Sequence, residues 1–354
     1  MKKILLSLLL LSACAHKTVA PPTTASLHFP EEKHLRNIRQ LTFGGQNAEA
    51  YFSQDGQWLI FQSQRDGAPC DQMYVMRTDG SELRRVSTGT GRTTCGYLYG
   101  TDKNGLPENL IFASTHGASA ECPQAPDHAH GYAWGIFPTY DLYTNTFKGD
   151  GPLHQLTNFH AYTAEATISP DQKKIVFTST KNGDLDLYTM DVNGKHLHQV
   201  TKELGYDGGA YFFHDGKRII YRAFHPETPE EKKSYSENLK NHLYRPTWLE
   251  LFWTDLKGKE KHQITHFHAG TFAPFMFPSD KRVIFSSNKN DPQGRHFDIY
   301  AVDLDGNNLE QITFSHSFDS FPMFSPDGKQ LVWASNRNGK APHETNVFIA
   351  DWIE

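Results

Sequence analysis

Residues 165–201 read EATISPDQKKIVFTSTKNGDLDLYTMDVNGKHLHQVT. Ser169-Pro170-Asp171 is a turn signal, because Pro fixes one φ and Asp tolerates the tight geometry. An apolar β-rich run, Ile175–Thr178, follows it, and after a polar loop comes a second, Asp186–Met190. The Asn193-Gly194 turn then leads to a short tail ending Gln199-Val200-Thr201. Alternating β-branched and aromatic residues between tight turns predict four short antiparallel strands.

The same frame recurs at Asp207–Thr265, Phe272–Thr313 and Phe318–Glu354, and also at Glu49–Ser87 and Thr94–Thr157. The turns repeat as His214-Asp215-Gly216, Pro278-Ser279-Asp280 and Ser325-Pro326-Asp327-Gly328. Six units of about 45 residues with four strands each describe propeller blades. The closing residues Thr42, Ser87, Thr157, Thr201, Thr265 and Thr313 are spaced 45, 70, 44, 64 and 48 apart. Blades two and four therefore carry insertions, about 115–140 and 224–248. The last unit lacks its own tail, while Arg39-Gln40-Leu41-Thr42 is an orphan tail ahead of the first. Placing it on the outer edge of the last blade closes the ring and satisfies an unpaired strand edge.

These turns, strands and Gln-Leu-Thr tails resemble the TolB-type, or PD40 (WD40-like), six-bladed β-propeller repeat over residues 37–354. The resemblance implies an all-β six-bladed ring, and it speaks to the fold rather than to the function. The N-terminal α/β domain that precedes the propeller in TolB has no counterpart in this sequence. Some related propellers, such as oligogalacturonate lyase, do chemistry with a histidine-held metal. That leaves a metal-assisted lyase or hydrolase acting on saccharide or peptide as the alternative function.

The 354 residues are 38% hydrophobic and 21% charged with a net charge of −5, as in a globular protein. No apolar run reaches the roughly 20 residues that span a bilayer. The acidity argues against nucleic acid as a partner. At the N-terminus, Lys2-Lys3, the apolar run Ile4–Leu11 and Leu11-Ser12-Ala13-Cys14 read as a secretory signal. Its last four residues resemble a bacterial lipobox, which implies lipidation at Cys14 and, with Ala15 following, outer-membrane sorting. The expected organisation is a signal peptide at 1–13, a lipid-anchored flexible tether at 14–36 and a propeller at 37–354. The envelope is the expected location, facing the periplasm, with the lipid as the only membrane contact and a monomer as the assembly. In that oxidising compartment two of Cys70, Cys95 and Cys122 can pair, and the spacing does not choose which.

Strand direction puts the start of each inner strand and the loop after each second strand on one face, the top, together with both insertions. Functional residues gather on such loops. The candidate binding residues are Glu49, Glu165, Asp207 and Asp319, read as matching positions of inner strands, with Arg65, His116, Arg222, His225 and Arg337 at the ends of second strands. No nucleophile elbow is present and no cofactor is implied, so a protein- or peptide-binding scaffold is preferred to an enzyme. His116, His128, His130 and His225 are the only metal candidates, because His-x-His in a strand places two imidazoles on one side. The insertions are expected to flank blade three as two walls. The second should open a helix at Thr228 or Pro229, with Leu239 and Leu243 on its inner side.

Overall fold

A computed structural model describes residues 27–127, 129, 131–291, 294 and 296–354. Blade three consists of strands Thr163–Ile168, Lys174–Ser179, Asp186–Asp191 and His198–Gln199, paired antiparallel in sequence order. Five further four-stranded sheets repeat it. The inner strands of blades one to six are Gln46–Phe52, Thr93–Thr101, Thr163–Ile168, Tyr206–Phe212, Thr271–Met276 and Asp319–Phe324. In the last blade the outer strand is Leu35–Gln40, paired antiparallel with Asn346–Trp352. The ring is closed as the orphan tail predicts.

The repeated residues have repeated work. The Ser169 hydroxyl donates to Asp171 at 2.6 Å and accepts from the Lys174 N–H at 2.9 Å, and Ser325 and Asp327 repeat the first contact. Each tail hydroxyl accepts a backbone N–H from the strand beside it: Leu187 donates to Thr201, Leu251 to Thr265, Ile299 to Thr313 and Val347 to Thr42, all at 2.9 Å. In blade two Leu142 donates to Thr157 at 2.9 Å, and in blade one Met73 donates to Ser87 at 3.0 Å. A buried amide is thus satisfied where the short fourth strand cannot reach it. Between the middle strands one aromatic pair recurs in all six blades, from Phe61–Tyr74 at 6.0 Å to Trp333–Phe348 at 5.8 Å. These rings supply most of the large buried side chains of the blade interfaces.

Every inner strand carries a β-bulge. The bulged residue has positive φ in each: Glu49, Cys95, Glu165, Gly209, Ala273 and Phe321, between 51° and 60°. A bulge re-aims a side chain, and six of them aim one residue per blade at the central channel.

The two insertions are not separate walls. Trp134–Gly135 pairs with Leu243–Tyr244 in a two-stranded sheet, and Arg245 donates to the carbonyls of Gly131 and Asp127. The helix is Pro229–Lys240, with Thr228 and Glu231 forming a capping box. Leu239 packs inward, but Leu243 lies in the strand beyond the helix, so the two do not share a helical face. The buried helical anchor is Tyr235, whose hydroxyl donates to Asp184 and to the Gly205 carbonyl. Cys70 and Cys122 form the disulfide, tying the first insertion to blade one, and Cys95 is a buried free thiol.

Contacts with the propeller begin ahead of residue 37. Glu32 is fully buried and Leu35 sits in the core between the last two blades, so residues 27–36 pack on the propeller.

Candidate functional site

The bulge ring brings Glu49 and Glu165 together with Cys95, Ala273 and Phe321 around a cavity of about 20 Å³, room for roughly one water. Tyr51, Tyr97, Tyr211 and Phe275 stand two residues further along their strands. Tyr51 packs on Tyr211 at 5.6 Å and on Tyr97 at 6.1 Å, and Tyr211 packs on Phe275 at 5.4 Å. The channel is blocked below by these rings.

Blade four supplies glycine to the ring, and the Arg222 guanidinium fills the place a side chain would take. Arg222 donates to Glu165 at 2.5 Å and, through Nε, to the Tyr206 hydroxyl at 3.0 Å. Glu165 also accepts from Thr178 at 2.7 Å and from the Gly209 amide at 2.9 Å. Burial works against the Arg222 charge, but Tyr206 and Glu165 outweigh it and hold its pKa well above the usual range. Trp134 of the first insertion lies over the guanidinium, 5.0 Å from its ring centre. Glu165 and Arg222 are therefore a mutually saturated pair under a roof.

Glu49 is the contrasting carboxyl. Its bonded neighbours are the Tyr51 hydroxyl at 3.2 Å and the Cys95 thiol, with no cation in direct contact. Burial raises its pKa, and burial also raises that of Cys95 well above its ordinary value. Blades five and six carry an aromatic wall: Phe272 packs on Phe297 at 5.2 Å and on Phe321 at 5.6 Å, and Phe297 packs on Phe318 at 5.7 Å. All four rings are partly exposed. Nothing in the linear sequence marked this wall, because it joins two blades and a loop after a second strand.

Asp207 and Asp319 are not ring members. Each lies two residues ahead of its bulge, at the position held by Asn47 and Thr163 in other blades, and is buried. Asp207 accepts from His225 at 3.0 Å, and Asp319 accepts from Arg337 at 2.9 Å. Arg337 also takes the carboxylate of Glu32, at 2.9 and 3.3 Å. Both are stitches between strands, away from the channel.

The remaining cations form a second ring, two residues past the end-strand serine or its equivalent: Arg65, His116, Lys181, His225, Lys289 and Arg337. Five lie against the aromatic of their own third strand, as Arg65 does on Tyr74 at 5.8 Å and His116 on Tyr143 at 4.3 Å. His116 bonds the Ser114 hydroxyl at 2.8 Å, and burial lowers its pKa. For His225, burial lowers the pKa but Asp207 outweighs it and raises it. His128 and His130 lie outside the described residues, as does Cys14. Among the described residues no group of three or more His, Cys, Asp or Glu is arranged to hold a metal ion, and the site does not bring His116 and His225 together.

The fold and its repeats define the class, a closed six-bladed β-propeller with a one-sided channel. A family model described as PD40, the TolB β-propeller domain, matches residues 236–344. The chain superimposes on a putative TolB from Agrobacterium tumefaciens with a TM-score of 0.53, at 17% identity over 88% of this chain and 91% of that one. TolB from Acinetobacter baumannii gives a TM-score of 0.55 at 15% identity, over 84% of this chain and 64% of that one. An oligogalacturonate lyase in complex with manganese gives 0.50 at 13% identity, covering 90% and 93%. At these identities the likeness is one of fold. No curated protein matches in sequence.

Proposed function

We propose that this protein is a lipid-anchored propeller of the cell envelope that binds a protein or peptide through its top face, with the channel mouth receiving a side chain. The observation that carries this reading is the mouth itself. It is closed below by tyrosines and bounded by Glu49, a carboxyl in no direct ion pair, and by partly exposed Phe272 and Phe321. Such a mouth suits a residue with an amine beside apolar surface, because the amine meets Glu49 while the apolar part covers the rings. The TolB-type fold supports protein binding in general. The Cys14 lipobox supports the anchor.

A photocrosslinking residue placed at Phe272 should capture an envelope partner that the same residue at Lys329, on the opposite face, does not. Identical capture from both faces removes the mouth from the argument. Cys14→Ser should release the protein from the membrane fraction, and retention there removes the anchor.

A further inference from the structure

Among the described residues Arg65 is the ring cation whose buried side-chain donors lack hydrogen-bond partners. Arg337 in blade six holds two carboxylates, Asp319 from its own inner strand and Glu32 from the segment that lies along the blade. His225 in blade four holds Asp207. Arg65 occupies the same repeat position in blade one, but the inner-strand residue there is Asn47. That amide is consumed by the Ser63 hydroxyl and by the carbonyls of Gly44 and Thr345.

Arg65 is consequently left with its Nε and Nη1 buried and without hydrogen-bond partners, although its side chain is only 15% exposed. Its nearest carboxylate is Asp66 at 3.7 Å, a side chain that is 75% exposed and free to face water. A buried guanidinium donor left unpaired costs more than a paired one gains, so this is a place built for an acceptor. Beside it a cavity of about 320 Å³ opens at the seam between blades one and six, lined by Arg65, Gln46, Gly67, Ala341, His343 and Glu344. Glu344 does not compete for Arg65. Its carboxylate already accepts from the amides of Gly44, Lys340 and Ala341 and from the Asn346 side chain.

Blade six shows what this ring position holds when it is filled: carboxylates, one from its own inner strand and one from the turn around Glu32 that packs on the blade. We infer that the Arg65 seam pocket is a carboxylate-binding site, and that its ligand is an acidic side chain or a chain terminus of a partner lying across the top face. Guanidinium and carboxylate match as a planar fork, and an ammonium at the same point does not. The inference rests on the top face being the docking face, but its site is separate from the channel mouth.

The test follows the backbone amide resonances of Gly67 and Ala341, which line the pocket in every variant, during titration of the full chain at constant ionic strength. The probes are N-acetylglutamate N-methylamide for a side chain, N-acetylglycine for a chain terminus, and inorganic phosphate. A saturable shift with at least one carboxylate, at affinities on the order of 1 mM, is expected. The better of the two names the source. The response should vanish in Arg65→Gln, weaken at least about tenfold in Arg65→Lys, and persist in Glu49→Gln, whose loss would affect the mouth alone. No saturable shift with either carboxylate, a response to phosphate only, or binding that survives Arg65→Gln in protein with an unchanged melting transition overturns the assignment.

Discussion

A Cβ placed on Gly209 would lie 2.8 Å from both Cζ and Nη1 of Arg222. The other five bulge positions carry Glu, Cys, Glu, Ala and Phe at the same backbone angles, so left-handed geometry does not by itself demand glycine here. Space does. Blade four gives up its ring side chain so that a residue from its second strand can reach Glu165 in blade three.

Gly209→Ala should therefore push the guanidinium off Glu165 and cost up to about 3–5 kcal/mol, the range for breaking a buried ion pair. In an Arg222→Met background the same alanine should cost under about 1 kcal/mol, since nothing is left to displace. Denaturant unfolding of the four proteins measures this coupling. Additive losses would mean that the glycine serves the backbone and not the arginine.

Asp186 and Asp298 begin the third strands of blades three and five, where burial, followed by the charges of nearby acids, pushes each carboxyl up to about 7. In the unfolded chain each titrates near the ordinary aspartate value. Between those limits the folded state holds the proton more tightly, so stability is highest below about pH 4 for these groups and falls as pH rises toward 7. Asn346 occupies the same position in blade six, where its amide oxygen accepts from Thr42. Asp298→Asn should accordingly flatten the decline between pH 4 and 7 without lowering stability at neutral pH. Melting temperatures across that range are the measurement, and an unchanged slope would refute the assignment.

The ring is legible because its signals are local and repeat six times: a turn containing Asp, two apolar runs and a tail hydroxyl that always finds the same amide. Closure was legible from a missing tail at one end and a spare one at the other. The site is only partly so. Glu49 and Glu165 share one repeat position, but Asp207 and Asp319 stand two residues ahead of it, and an acid near the start of the inner strand carries no mark that separates the two positions. Trp134 over Arg222 depends on two insertions pairing with each other, and insertions share no period with the repeat. The disulfide partner of Cys70 was undetermined for the same reason, since Cys122 lies in an insertion.

That disulfide closes a loop with a sequence separation of 52. Chain-entropy arguments put its contribution at about 4 kcal/mol as an upper figure. Cys70→Ser with Cys122→Ser should lower the melting temperature and raise proteolysis around residues 117–127 ahead of the blades. Cys95 should stay unreactive to thiol reagents in the native protein, given its burial and raised pKa, and should titrate as one thiol only after unfolding. Rapid labelling of native Cys95 would show that the channel opens more freely than its packing allows.

Leu35–Gln40 satisfies the outer edge of Asn346–Trp352, and Thr42 accepts from the Val347 amide at 2.9 Å. Removing residues 37–43 deletes the paired strand and leaves the N–H and C=O groups of the last blade to water along an open edge. It also detaches the anchor of the first blade, because the chain runs directly from this tail into Gln46–Phe52. The deletion should therefore abolish a single cooperative melting transition, where a point change such as Thr42→Val should only lower it by the worth of a lost hydroxyl contact, about 1 kcal/mol. The contrast separates the two roles of the segment: one hydrogen bond is replaceable, while the strand joins the ends of a ring whose blades each pack only on their neighbours. Differential scanning calorimetry decides it. An intact single transition in the deletion would mean that the ring holds without its clasp.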